Sequence, residues 1–329
     1  MAGEGINSIR DMIHRSTRFH GDNEAAVDET YRYTYNEMLD KIQRTAALLH
    51  SLGVRKGDRV ALMMLPSANH PIALFGAIEL GAIPVAIHIR ESDDTVVQLL
   101  ERLSPRALVY DVGMEARIDS IKPQIPFITG FVRATSGLST AEEIDSGTVP
   151  LIPDDLKNYE LDFEPMPIEP DDIALIALSS GTTGLPKGMV HSHRGLIHGA
   201  RGAVGLYGAT PSSRVLNILT TSFMAWINVS FPMFNVGGTN VFMSGFNPQE
   251  YLPTAARERC SILFLIPTMW RMVLRQDLSG VDLSNVKRAM FAGEVMDLKT
   301  LKLIREVITP NVYNCYGTTE TGTSAGTMM

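Results

Sequence analysis

Ile173-Ala-Leu-Ile-Ala-Leu-Ser-Ser-Gly-Thr-Thr-Gly-Leu-Pro-Lys-Gly188 decides how the rest of the chain is read. Its first six residues form an unbroken apolar run, the pattern of a buried strand. From Leu178 to Gly188 there follow three glycines, four hydroxyl side chains and Lys187. Beyond them, the His/Gly-rich stretch 191–207 is read as able to carry a helix. A strand, a glycine loop and then a helix is the layout that aims backbone N–H groups at an anion. Glycine lets the backbone approach a ligand without Cβ clashes. Hydroxyls donate to phosphate oxygens, and a lysine adds a mobile charge. The P-loop of nucleotide triphosphatases is excluded, because it needs Gly, four residues, then Gly-Lys-Ser/Thr. Here Pro186 precedes the lysine and Gly188 follows it, so no hydroxyl stands ready for a metal.

Upstream, strands and helices alternate. Thr34 and Glu37 have capping-box spacing, Met38, Ile42, Ala46 and Leu49 form one stripe, and Gly53 supplies a stop. Strands are expected at 60–65, 84–87 and 107–110, with helices at 72–80 and 94–103 between them. Residues 1–33 read as an opening helix followed by turns. Downstream, strands are expected at 215–219, 239–243, 261–266, 286–291 and 311–315. Helices are expected at 248–259, after Pro267, and at 297–307. Such alternation predicts α/β architecture with parallel sheets. Between 135 and 171 the chain turns rich in Pro, Asp, Glu and Ser. The predicted organisation is a first α/β subdomain over 1–150, a linker over 151–171, and a second α/β subdomain over 172–329, the two sheets stacked.

With 329 residues the chain can bury a large core. Hydrophobic residues make up 45% and charged ones 20%, in the range of soluble globular proteins. A net charge of −7 has the wrong sign for a phosphate backbone, so nucleic acid is not an expected partner. Two cysteines, Cys260 and Cys315, argue against a disulfide framework and suit a cytoplasmic protein. The first residues show no basic start and no apolar h-region, and no apolar run reaches about eighteen residues, so neither a signal peptide nor a membrane span is expected.

Ser179-Ser-Gly-Thr-Thr-Gly-Leu-Pro-Lys-Gly188 resembles the signature of the adenylate-forming enzymes: acyl-CoA synthetases, luciferases and the adenylation domains of peptide synthetases. Tyr316-Gly-Thr-Thr-Glu320 resembles that family's next motif, in the right order. Thr34-Tyr-Asn-Glu37, Gly57-Asp-Arg-Val60 and Gly81-Ala-Ile-Pro84 resemble its N-terminal region.

The resemblance implies ATP-dependent activation of a small-molecule carboxylic acid to an acyl-adenylate, with CoA as the expected acceptor and Mg²⁺ as the metal. It implies that Ser179, Ser180, Gly181, Thr182, Thr183, Gly184, Lys187 and Thr318 bind the ATP phosphates. Lys187, Thr319 and Glu320 become the catalytic candidates, with Glu320 also holding the metal. Gly293 and Glu294, in a segment that follows a strand, and Tyr316 correspond to the adenine site, and His193 to a histidine that orients the loop. His191 and His198 have no motif support and read as surface or packing residues.

Phe223, Met224, Trp226 and Gly317 are assigned to the acyl pocket. Amino-acid-activating relatives usually carry Asp after this Phe, and acyl-CoA synthetases usually His. Met224 can pair with no ammonium group and suits an apolar pocket. Met224 and Trp226 therefore point to a non-amino acid, although both could equally be core residues. Only nine residues follow Glu320. The family's ribose-binding Asp, its hinge, and the C-terminal domain with a second lysine come later than that. The resemblance therefore implies a truncated N-terminal portion of an acid–CoA ligase, with little activity alone. An adenylation domain that loads a carrier protein, and a non-catalytic nucleotide- or acyl-binding module, are the alternatives.

Overall fold

The structure is a computed structural model, and it describes residues 6–145, 149–179 and 184–329. The chain opens with α1 (Ile9–His20), β1 (Glu24–Val27), β2 (Arg32–Thr34), α2 (Tyr35–Ser51), β3 (Arg59–Met63), α3 (Asn69–Glu79) and β4 (Ile83–Ala86). Next come α4 (Asp93–Leu103), β5 (Ala107–Asp111), α5 (Glu115–Ile121), β6 (Gly130–Ala134), α6 (Ala141–Asp145) and β7 (Leu151–Ile152). They are followed by β8 (Ile173–Ser179), β9 (Lys187–Ser192), α7 (His193–Tyr207), β10 (Arg214–Asn217), α8 (Met224–Val236) and β11 (Thr239–Phe242). The last elements are α9 (Tyr251–Arg257), β12 (Ile262–Phe264), α10 (Pro267–Val273), β13 (Arg288–Phe291), α11 (Leu298–Val307), β14 (Val312–Thr318) and β15 (Gly322–Met328).

Two sheets result, one of seven strands in the order β7-β6-β5-β3-β4-β8-β9 and one of eight in the order β15-β14-β13-β12-β10-β11-β1-β2. Pairing is parallel inside each sheet and turns antiparallel only at the ends, in β8/β9, β14/β15 and β1/β2. Strand alternation separates the layers. Val60 and Leu62 of β3 face the same core as Val215, Ile262, Phe264 and Met290 of the other sheet, with α1, α2, α3, α7 and α8 packed between. Ala61 and Met63 point the other way, onto α4 and α5. Leu216, Leu263, Ala289 and Phe291 likewise meet α9, α10 and α11. Sheets covered on both faces need apolar residues at successive positions, which is why these strands read as unbroken apolar runs.

The expected capping box at Thr34 is present. Thr34 Oγ1 accepts from the Glu37 N–H at 3.2 Å, and Glu37 Oε2 accepts from the Thr34 N–H at 2.8 Å. Helix α3 is buried along all its length. A Cβ on Gly76 would lie 2.5 Å from the Thr45 methyl, so only glycine lets α2 and α3 come this close.

The sheets do not divide the chain at 151–171. Strands β8 and β9, assigned by sequence to the second subdomain, complete the first sheet, and β1 and β2 complete the second. Val27 pairs in parallel with Val241, a partner no local pattern could reveal. Arg214 holds this addition in place, bonding Glu24 at 2.5 Å and Glu258 at 3.0 Å. Residues 151–171 are packed rather than spanning two bodies: Leu156 is buried and the Phe163 ring stacks on His50 with centroids 3.9 Å apart. Helix α8 and strand β15 are additions to the elements expected from sequence. Most of α8 is buried and it has no polar face, so it shows no stripe, and Pro232 inside it reads as a breaker.

Candidate functional site

The glycine loop joins two antiparallel strands and does not open a helix, contrary to the strand–loop–helix expectation. Ser179 pairs with Lys187, Leu178 with Gly188 and Leu175 with His191. Helix α7 begins only after β9, with Ser192 as its N-cap accepting from the Gly195 N–H at 3.2 Å. The run 187–192 hid a strand because it borders the solvent edge of the sheet and mixes Lys, Gly, His and Ser with two apolar residues. Ser180, Gly181, Thr182 and Thr183 lie outside the described residues. On one side of them, the Ser179 hydroxyl donates to the Lys187 carbonyl at 3.5 Å. On the other, Gly184 has φ +135°, and a Cβ there would meet nothing within 4 Å, so this residue stands in open space in a conformation suited to glycine. Lys187 is exposed at the first position of β9.

A second hairpin turn comes to the same place. Strand β14 pairs with β15 through Thr318 and Gly322, leaving Thr319, Glu320 and Thr321 at the tip. The Thr318 N–H donates to Thr321 Oγ1 at 3.3 Å. The Glu320 carboxyl is held below its usual range by its own backbone N–H and the Thr318 hydroxyl, helped by the charges of His191 and Lys187. Lys187, at the start of β9, and the second hairpin turn are thus within electrostatic reach. Both lie at the C-terminal ends of parallel strands, the edge where α/β sheets bind ligands.

The two histidines make different contacts. His193 is buried, and its Nδ1 accepts from the Ile9 N–H at 3.1 Å, tying α7 to the start of α1. Burial pushes its pKa down to about 4. His191, read as a surface or packing residue, is the one that meets the second hairpin. Burial lowers its pKa, opposed by the nearby Thr319 backbone and by the Glu320 charge. The alternation of β9 could have singled out His191, had 187–192 been recognised as a strand.

Met224 lines a cavity of about 120 Å³ together with His191, Gly195, Asn228, Glu320 and Gly322. It lies between α7, α8 and the β14–β15 turn. Trp226 is not part of it. That side chain is fully buried, stacked on Phe242 at 5.8 Å and edge-on to His70 at 4.5 Å, so it is a core residue. Phe223 is 45% exposed, with its ring 5.4 Å from that of His88, outside this cavity. Gly317 is exposed on β14.

At the end of β13, Gly293 has φ +85° and turns the chain. The Glu294 carboxylate accepts from the Thr268 N–H at 3.2 Å and the Thr268 hydroxyl at 2.7 Å, capping α10. With its carboxylate so used, Glu294 has its backbone left to offer a purine. Tyr316 is 66% exposed and free to stack on a ligand. A larger cavity, about 760 Å³, opens at the N-terminal ends of the second sheet beside Arg214, Glu258, Lys287 and Asn311. It contains none of the motif residues.

Among the described residues, no three His, Cys, Asp or Glu side chains gather into a metal cage. Glu320, ionised and exposed, fits the way Mg²⁺ is usually held, through one carboxylate with substrate phosphates and water completing the shell. Cys260 and Cys315 are free and buried. Among the described residues no helix is long and apolar enough to cross a membrane.

Residues 13–329 match the family model of the AMP-binding enzymes. The chain is 29% identical over 310 residues to a 4-chlorobenzoate–CoA ligase of Arthrobacter sp., covering 88% of this chain and 54% of that protein. It is 27% identical over 298 residues to a 3-hydroxybenzoate–CoA/4-hydroxybenzoate–CoA ligase of Thauera aromatica, covering 88% and 55%. The chain therefore spans about half the length of the curated relatives it matches. In fold it resembles the inhibitor-bound N-terminal domain of FACL13 from Mycobacterium tuberculosis, with a TM-score of 0.84 at 24% identity, covering 95% of this chain and 76% of that one. The glycine-loop and Tyr-Gly-Thr-Thr-Glu hairpins, the two stacked sheets and a family match over nearly the whole length lead to one conclusion: the chain belongs to the AMP-binding enzyme family.

Proposed function

We propose that this chain carries the nucleotide- and acid-binding site of a ligase that activates a small, non-amino carboxylic acid with ATP and passes the acyl group to CoA. The observation that carries the reading is the approach of β9, through Lys187 and His191, to Glu320 of the second hairpin turn beside the cavity lined by Met224. In the proposed first step a carboxylate oxygen attacks the α-phosphorus, the bond to the β-phosphate oxygen breaks, and pyrophosphate leaves with that electron pair. In the second, the CoA thiol gives up its proton and attacks the acyl carbonyl, and AMP leaves.

Two anions must approach each other, so the protein's contribution is neutralisation and positioning. Lys187 brings a positive charge to the phosphates, and the Ser179, Thr318 and Thr319 hydroxyls donate to their oxygens. Mg²⁺ held by Glu320 would neutralise the phosphate oxygens and aid departure of pyrophosphate. Tyr316 stacks on adenine, with Gly293 and the Glu294 backbone along its edge. Met224 and Ile227 form the apolar wall for the acyl group. The cavity, at about 120 Å³, is close to the ~150 Å³ of an engineered apolar cavity that admits benzene. It suits one ring or a short chain. The names of the relatives, ligases of chlorobenzoate and hydroxybenzoates, support the same acid class.

The test is ATP–pyrophosphate exchange with Mg²⁺ over a panel of benzoates, short aliphatic acids, fatty acids and amino acids. This chain is assayed beside the longest form its gene encodes. Exchange confined to small non-amino acids is expected, falling about 10²–10³-fold in Lys187→Ala, the usual cost of one charge-stabilising donor. Exchange driven by amino acids or long-chain acids would refute the assignment of the cavity.

A further inference from the structure

Most of the wall of the cavity beside the second hairpin is apolar, formed by Leu196, Met224, Ile227 and Phe231. Two polar side chains interrupt it away from the hairpin turn, His191 and Asn228. His191 Nε2 is buried and has no hydrogen-bond partner among the described residues. A buried polar atom with no partner carries a desolvation cost that nothing offsets. A ligand that supplied the partner would recover that cost, and one that did not would leave it standing. The ring is set in place by β9, whose Leu175↔His191 pairing fixes which side of the strand it occupies. Its neighbour across the cavity is also fixed. A Cβ on Gly322 would fall 3.1 Å from Asn228 Oδ1 and 3.5 Å from Met224 Cε, so the wall is tightly packed where the second hairpin turn meets α8.

We propose that His191 determines specificity, and that the cavity takes a small carboxylic acid whose hydroxyl substituent hydrogen-bonds to His191 Nε2. This rests on the reading of the cavity as the acyl site. A hydroxyl can donate to the ring nitrogen or accept from it, so the pairing holds in either tautomer. The cavity volume limits the acid to about one ring, and the apolar wall selects a hydrocarbon body behind the polar tip. The carboxylate then points out of the cavity, past Glu320 and towards Lys187.

The experiment is calorimetric titration of the chain with non-hydrolysable sulfamoyl-adenosine mimics of benzoyl-, 3-hydroxybenzoyl- and 4-hydroxybenzoyl-adenylate. Wild type, His191→Phe and His191→Gln are compared, each first checked for an unchanged melting transition. Wild type is expected to bind at least one hydroxybenzoyl mimic about five- to tenfold tighter than the benzoyl mimic, the worth of one neutral hydrogen bond. His191→Phe is expected to lose that preference, and His191→Gln, which keeps a polar tip, to retain part of it. No preference in wild type, or a preference that survives His191→Phe, would overturn the inference and leave the acyl site standing. Failure of all three mimics to bind wild type would overturn the acyl-site reading and the inference together.

Discussion

Replacing His193 by asparagine tests the bond that ties the start of α7 to the start of α1. The His193 ring is buried, and its Nδ1 accepts from the Ile9 N–H, 184 residues away in sequence, at 3.1 Å. Accepting that bond requires the neutral ring, and burial disfavours the charged one. Its pKa falls from the usual 6.5 to about 4, with Asp172 and Asp11 pulling it up and Arg10 and Lys56 pushing it down. The folded value lies below the unfolded one, so between them the unfolded chain binds the extra proton. Stability from this residue is complete above pH 6.5 and is lost as the pH falls towards 4. At 1.36 kcal/mol per pKa unit, the loss across that window amounts to roughly 2–3 kcal/mol. An asparagine amide oxygen can accept from the same N–H but does not titrate. Urea unfolding of wild type and His193→Asn at several pH values between 7 and 4 supplies the comparison. The variant is expected to lose about 1 kcal/mol at pH 7 for imperfect geometry. Its stability should then decline less steeply than wild type on acidification, so that the two curves converge or cross. His70, buried and also depressed in pKa, titrates equally in both and cancels. Parallel curves from pH 7 to pH 4 would refute a neutral, hydrogen-bonded His193.

Trp226 belongs to the core and not to the cavity, so Trp226→Phe should leave the affinity for a benzoyl-adenylate mimic within about twofold, while Trp226→Ala lowers unfolding stability by about 3–5 kcal/mol. Met224→Trp, which fills the cavity, should abolish mimic binding in the same titration, and equal behaviour of the Trp226 and Met224 variants would count against the assignment. Gly322→Ala forces a Cβ into backbone with φ +65° and to within 3.1 Å of Asn228 Oδ1. It should cost about 1–2 kcal/mol in urea unfolding, and weaken the mimic as the cavity wall shifts.

Much of the site could be read along the chain because its parts are local. The capping box at Thr34 and Glu37, the apolar strands at 59–63 and 107–111, and the Asp297 cap of α11 are all set by residues within a few positions of one another. The two motifs are local too, which is why Lys187 and Glu320 could be named together without knowing that their hairpins meet. What could not be read was pairing. Strand β1 joins β11 across more than two hundred positions, and β8–β9 complete the first sheet although they follow the Pro-rich segment. Helix α8, with little face left for solvent, showed none of the contrast on which periodicity depends.

The histidines show the division most plainly. Val190-His191-Ser192-His193 fixes that two imidazoles stand two residues apart, and nothing in that spacing says which one meets the second hairpin. The sheet decides it for His191, whose place opposite Leu175 directs it to the second hairpin. The packing of α1 decides it for His193, by offering the free N–H at the start of a helix as its partner. The sequence by itself determined the phosphate loop, the acidic hairpin and the α/β class, because each is encoded in short-range pattern. Tertiary structure alone decided which side chains line the cavity, because that depends on strand register and helix docking between segments the chain keeps far apart.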